Sequence, residues 1–436
     1  MAIEDIMRDS SGIAIKQGFE RVIKKHIPKE SLIGQRNFYL KDTALRMDSA
    51  TVASLKKNQI EEYIASSVLV HCTDGWNYLS RSIESLINGD IASSIHFAYY
   101  AELRSAMSLM AFEGVGVFNK KHIWFDTHKS ASLFGGFTTH SLVNSGMEAW
   151  AGLSTKKNIL FDLVKVKNRS LDNWIRESGV STNSKYANSV INKWLKRWSV
   201  DLHLKRDQFI RNEMSYRPHY LTAQIDIGNL LTKLTEVWEL LEPSPSSGFL
   251  HLDQHLLRIA LEGIYRKSKG AKPVGPNYAK YVESIFNRLG EDTEQTLFNF
   301  LLRRSNPEDA LIFIEAKKDN LNSDNNKKDP FPLICRAILL LRLSTGAANN
   351  LIETSSINKE SLRFWWEKLS HDQGVINSIG SEINPTDLFT DIRDSITEIN
   401  SIGGGLTNIK DSFDLASGAL YYLKQFQRPA IWGMGL

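Results

Sequence analysis

From Ile91 to Met110 the apolar residues return at steps of three and four: Ile91, Ile95, Ala98, Ala101, Leu103, Ala106, Leu109 and Met110. A helix gathers residues at that spacing on one face, and a strand scatters them over both. The same period recurs through most of the chain. It predicts helices near 60–71, 76–88, 91–114, 147–167, 187–199, 206–217 and 223–241, and again near 250–266, 277–289, 292–304, 307–317, 331–352, 358–371, 385–399 and 411–427. Only Val115–Phe125, rich in β-branched and aromatic residues after Gly114 and Gly116, reads as extended. The expected fold class is therefore all-α.

Glu242-Pro243-Ser244-Pro245-Ser246-Ser247-Gly248 interrupts the pattern, because two prolines and a glycine stop a helix and no apolar period crosses them. This divides the chain into an N-terminal helical extension (1–57), a helical domain (58–242), a linker (243–249) and a second helical domain (250–436). With 436 residues, both domains have length enough to bury a core.

Composition narrows the setting. Hydrophobic content of 42% and charged content of 23% are ordinary for a globular protein. Cys72 and Cys335 are the only cysteines, which suits a reducing compartment and excludes a disulfide framework or a Cys-built zinc site. The N-terminus lacks a signal-peptide pattern. The best apolar run, Ala337 to Leu341, is closed by Arg336 and Arg342, far short of a membrane span. The expectation is a cytoplasmic protein with no membrane partner.

The net charge of +4 is too small to imply nucleic acid, but residues 185–217 carry eight basic against three acidic side chains, a local +5. Within this stretch Val190, Ile191, Trp194, Leu195 and Trp198 form one stripe, and Lys193, Lys196 and Arg197 lie off it. The segment then runs into Arg206, Arg211, Asn212, Tyr216, Arg217 and His219. Metal-free RNA cleavage needs a base for the 2′-hydroxyl proton and a cation to hold the phosphate as charge builds. Histidine and arginine supply these. The candidate catalytic residues are Arg211, Asn212, Tyr216 and His219; Lys193, Lys196, Arg197, Arg206 and Arg217 are candidate RNA contacts. The other reading is a polar seam inside a helical bundle, with Arg211 and Asn212 closing a helix contact.

The order of features resembles the HEPN superfamily of small helical bundles, including its YaaC-like members, over roughly residues 60–240. The helix 91–114 carries Ala98-Tyr99-Tyr100-Ala101-Glu102-Leu103-Arg104-Ser105-Ala106. It is followed by Gly114-Val115-Gly116, His122, Thr127-His128 and Leu133-Phe134-Gly135, and well downstream by Arg211-Asn212-Glu213-Met214-Ser215-Tyr216. The resemblance implies a protein of a bacterial conflict, defence or stress system, such as an antiviral or toxin–antitoxin pair. Its ribonuclease members use an arginine, four to six intervening residues and a histidine, paired across a dimer. Here the four-residue gap from Arg211 lands on Tyr216, and His219 comes after seven intervening residues. Arg21 with His26 and Arg197 with His203 also match the spacing, but 22 arginines and 11 histidines in 436 residues produce such pairs by chance.

Other chemistries leave fainter traces. Nucleotide-binding Gly-rich loops, Gly-x-Ser-x-Gly and His-Glu-x-x-His are absent from the sequence, so no cofactor and no metal are expected. His251 and His255, with Asp253 between them, have helical metal-ligand spacing but read more simply as exposed helix-start histidines. His122 reads as a satisfied, partly buried histidine. Trp365, Trp366 and Trp432 are candidate docking anchors for the alternative function, a non-catalytic helical scaffold subunit of a multi-protein assembly. Expected partners are RNA or a nucleotide, together with a second copy or a protein of such a complex.

Overall fold

The computed structural model describes residues 2–153, 158–181, 204–216, 227–245, 248–290, 294–318, 329–401 and 417–436. The fold is all-α, with two small sheets. The chain opens with α1 (Ile3–Asp9), α2 (Ile13–Lys25) and α3 (Thr43–Asp48), then forms the hairpin of α4 (Lys57–Ile87) and α5 (Ile91–Phe112). Strands β1 (Val115–Gly116), β2 (Lys121–Phe125) and β3 (Ala131–Gly135) make an antiparallel meander, with Val115 opposite Trp124 and Ile123 opposite Leu133. After α6 (Thr139–Gly152) and α7 (Asn158–Leu163), a two-stranded ribbon of β4 (Lys165–Val166) and β5 (Arg169–Ser170) leads to α8 (Leu171–Glu177). Further on lie α9 (Leu204–Tyr216), α10 (Ile227–Leu240), α11 (Leu250–Lys269), α12 (Gly275–Leu289), α13 (Gln295–Leu301) and α14 (Leu311–Ala316). The last are α15 (Phe331–Thr354), α16 (Arg363–Asp372), α17 (Pro385–Ser401) and α18 (Pro429–Gly433).

The expected breaks are partly redrawn. The helices near 60–71 and 76–88 are one helix, α4, running through Gly75. A Cβ at Gly75 would lie 2.9 Å from Leu341 Cδ2, 3.1 Å from Ser105 Oγ and 3.3 Å from the Ala101 carbonyl oxygen. Glycine therefore marks where α4, α5 and α15 cross closely, and not a helix end. The helix expected near 147–167 is instead α6, α7 and the β4–β5 ribbon, and the extended stretch after Gly114 grows into three strands. Gly114 has φ +90, and a Cβ there would collide with the Ser11 carbonyl.

Helix α15 is the centre of the molecule. Its residues Phe331 to Asn349 are buried throughout, so its apolar sequence is the signature of a core helix. It is the one described helix long and apolar enough to cross a membrane by composition, and that apolar stretch is wholly buried. Its two mid-helix arginines are paired: Arg336 with Asp207 of α9 at 2.6 Å, and Arg342 with Asp253 of α11 at 2.7 Å. Helix α15 also packs on α4 and α5, where Trp76 donates its indole N–H to Thr345 Oγ1 at 2.8 Å. Residues on both sides of the proline-rich stretch at 243–249 thus share one hydrophobic cluster. Phe249 itself is fully buried and meets Trp76 edge-on at 5.8 Å.

Candidate functional site

Two helix starts set the geometry. Asp90 caps α5 by accepting from the Ser93 N–H at 2.9 Å. Thr138 and Ser141 form a reciprocal cap at the start of α6, which fixes the first turn holding His140. Helix α9 lies against α5 and buries Asp207, Ile210, Arg211 and Met214, a run at steps of three, one and three. Phe209 and Tyr216 face outward, at 53% and 82% exposure.

Arg211 is 9% exposed. Its guanidinium carbon sits 5.1 Å from the Tyr99 ring centre and 5.6 Å from that of Tyr100, within cation–π range of both. Its Nε is buried and has no hydrogen-bond partner. A buried cation with an unused donor is an unusual arrangement, because desolvation without a partner costs on the order of 1–3 kcal/mol or more.

Two imidazoles join it. His140 Nδ1 is 2.9 Å from the Tyr99 hydroxyl, with the rings stacked at 5.7 Å. His96 Nδ1 is 3.1 Å from Ser215 Oγ, and its ring lies 4.9 Å from that of Tyr100. Burial, and then the Arg211 charge, push both histidines below their ordinary range. Both are thus neutral near pH 7 and able to accept a proton. Burial pushes the Tyr99 phenol up, partly offset by Arg211, so it stays protonated. Nearby, Asn144 Nδ2 donates to Gln208 Oε1 at 2.8 Å and joins α6 to α9.

A buried charge network holds this arrangement one helical turn away. Arg336 donates from Nε and Nη2 to the two carboxylate oxygens of Asp207, at 2.8 and 2.6 Å. Its remaining donors reach the Ala316 and Lys318 carbonyls. Glu102, buried beside them, is pushed well up by burial and by Asp207. Asp207 precedes Arg211 by four residues and Glu102 follows Tyr99 by three. The network therefore pins α9 to α5 and α15 directly beneath the Arg211 cluster.

The sequence-predicted residues separate. Arg211 is in the cluster. Asn212 is half-buried on the adjoining face of α9, Tyr216 is exposed about 140° around the helix from Arg211, and Arg206 is exposed. His219, Arg217, Lys193, Lys196 and Arg197 lie outside the described residues. His96 and His140 were not among the candidates, although His96, Tyr99 and Tyr100 show i, i+3, i+4 spacing on the Tyr/Ala-rich helix. Nothing local marks His140, 71 residues before Arg211.

The other candidates have structural partners. His122 is fully buried; it accepts from the Phe118 N–H at 3.0 Å and lies 3.1 Å from the Phe137 carbonyl oxygen. Asp253 binds Arg342, and His251 pairs with Glu242 at 2.8 Å; His255 is buried against Phe300 rather than exposed, and accepts from Arg258 at 3.1 Å. These three do not converge, and no group of three or more metal-ligating residues occurs among the described residues. Trp366 is 7% exposed. Trp432 is 3% exposed and donates to the Leu241 carbonyl at 3.0 Å. As docking anchors these two rings are corrected, since they are buried in this chain's own core; Trp365 is half-buried. Comparison of the chain with protein-family models, curated proteins and solved structures finds no match.

Proposed function

We propose that the chain is a HEPN-like protein that binds RNA and cleaves it without a metal ion, using Arg211 with His96 and His140. The supporting observation is the Arg211 guanidinium, nine-tenths buried with Nε unpaired, set among two tyrosine faces and two neutral imidazoles. Arg211 is the phosphate-holding group: its planar fork matches two non-bridging oxygens, and low-dielectric surroundings strengthen that attraction. A neutral imidazole takes the 2′-hydroxyl proton while the 2′-oxygen attacks phosphorus. The bond from phosphorus to the 5′-oxygen breaks, and the proton passes to that oxygen. The products are a 2′,3′-cyclic phosphate and a free 5′-hydroxyl. Tyr99 and Ser215 orient the rings through their Nδ1 contacts.

The test is cleavage of a labelled single-stranded RNA by the purified chain in the presence of a chelator. Arg211→Ala and His140→Ala are each expected to lower the rate by about 100-fold or more, with cyclic-phosphate ends in the wild-type products. Equal rates in wild type and both variants would end this reading.

A further inference from the structure

A cavity with a polar end lies further along α5. Its volume is about 280 Å³, and its lining comes from α3, α4, α5, the β1–β2 turn and the start of α6. Ile64, Met107, Ala111 and Val117 supply apolar wall, and the rings of Tyr63 and Phe118 stand 6.1 Å apart at 34°. His71 and Arg104 supply the polar end. No carboxylate lines it among the described residues, and Arg104 is its one formally charged side chain.

His71 and Arg104 are arranged as donors. Arg104 Nη1 donates to His71 Nδ1 at 3.0 Å, which places the proton of the neutral ring on Nε2. Burial, and then Arg104 itself, push the His71 imidazole down to about 3, so this tautomer persists at physiological pH. The counter-charge to Arg104 is weak: Asp74 Oδ2 is 3.8 Å from Arg104 Nε, beyond hydrogen-bond range. Arg104 keeps 30% of its side chain accessible. A guanidinium and an imidazole N–H, both donors, thus meet at one end of a cavity whose other walls are apolar and aromatic apart from Thr43, Ser67, Asn119 and Thr139, whose side chains donate to Tyr39, Ile64, Asp48 and Phe118 oxygens.

We propose that this cavity binds a small organic oxyanion, a carboxylate or phosphate monoester carried on a compact apolar body. The oxyanion lies against Arg104 and the His71 Nε2–H, where charge-assisted hydrogen bonds are strongest. The body fills the space between Tyr63, Phe118, Met107 and Ile64, as in pockets where few polar groups orient an apolar ligand. A site of this kind is independent of RNA cleavage, although Arg104 follows Tyr100 by one helical turn and Thr139 precedes His140.

Calorimetric titration of the full chain with phenyl phosphate, benzoate and uncharged benzyl alcohol tests it. At least one anion is expected to bind, with benzyl alcohol binding at least tenfold more weakly. Binding of phenyl phosphate alone identifies a phosphate monoester, and binding of benzoate alone a carboxylate. Arg104→Gln should weaken the anion at least tenfold. Ala44→Trp, placed at an exposed lining residue so that folding is spared, should block entry while leaving the charge intact. Arg211→Ala should leave the affinity unchanged, which separates this cavity from the RNA site. Absence of heat for both anions, unchanged binding in Arg104→Gln and Ala44→Trp, or loss of binding in Arg211→Ala overturns the proposal.

Discussion

Arg211 shows how one side chain tunes its neighbours. Its charge adds to burial in depressing His96 and His140, since a nearby cation disfavours a second positive charge. Replacing it with alanine removes the repulsion, so both imidazole pKa values should rise toward 6.5. Proton-detected titration of the two rings measures this directly and needs no substrate. If both rings titrate identically in wild type and Arg211→Ala, the guanidinium does not act on them and the cluster is not an electrostatic unit. In cleavage assays the same depression predicts that the wild-type rate stays on its plateau below pH 6.5, because the base form of each ring persists there.

At the scale of elements, close approach governs the packing of α4, α5 and α15. Gly75→Val puts two methyl groups where Leu341, Ser105 and the Ala101 carbonyl already stand within 3.3 Å of a Cβ. Overpacking of this kind should destabilise the protein by about 1–3 kcal/mol despite the helix propensity restored. Chemical denaturation measures it, and a variant as stable as wild type would mean the helices can part without cost. The same glycine shows what a sequence carries and what it hides. The apolar period at Ile91, Ile95 and Ala98 made α5 legible, because the pattern is local. The continuity of α4 through Gly75 was hidden, because the packing partners of that glycine, Ala101, Ser105 and Leu341, are distant in sequence. Strand β3 escaped because Ala131, Ser132, Leu133 and Phe134 are all half-buried, so no in-and-out alternation marks them. Arg211 was legible as a charge in a basic, aromatic stretch. His140 was not, since only the folded hairpin and the capped start of α6 bring it to Tyr99.

At the scale of the whole molecule, stability should fall in acid. His255 is 4% exposed and accepts from Arg258; burial, and then the Arg258 charge, hold it down to about 3. Above 6.5 the ring is neutral both folded and unfolded, and its contribution is fully present. As pH falls from 6.5 toward 3 the unfolded chain takes up a proton that the folded chain refuses. Each pH unit in that window then removes about 1.4 kcal/mol per such ring. His255→Gln keeps an acceptor for Arg258 and should flatten this dependence, as read by denaturation midpoints at pH 4.5 and 7.

The organisation of the core leads to a larger prediction. Helix α15 lies beyond the proline-rich stretch at 243–249, yet it covers α4 and α5 and supplies Arg336 to Asp207. A chain ending at Glu242 would leave Trp76, Cys72 and the inner face of α5 open to water. It would also leave Asp207 and Glu102 without the Arg336 guanidinium beside them. Breaking a buried pair by removing one partner costs about 3–5 kcal/mol, a large part of the stability of any single domain. The fragment 1–242 should therefore lack a cooperative thermal transition and bind a hydrophobic dye, while the full chain melts sharply. A fragment that melts cooperatively with dispersed amide signals would show that the first 242 residues make their own core. Arg211 would then owe its position to α5 and α6 alone, without the anchor that α15 provides through Asp207.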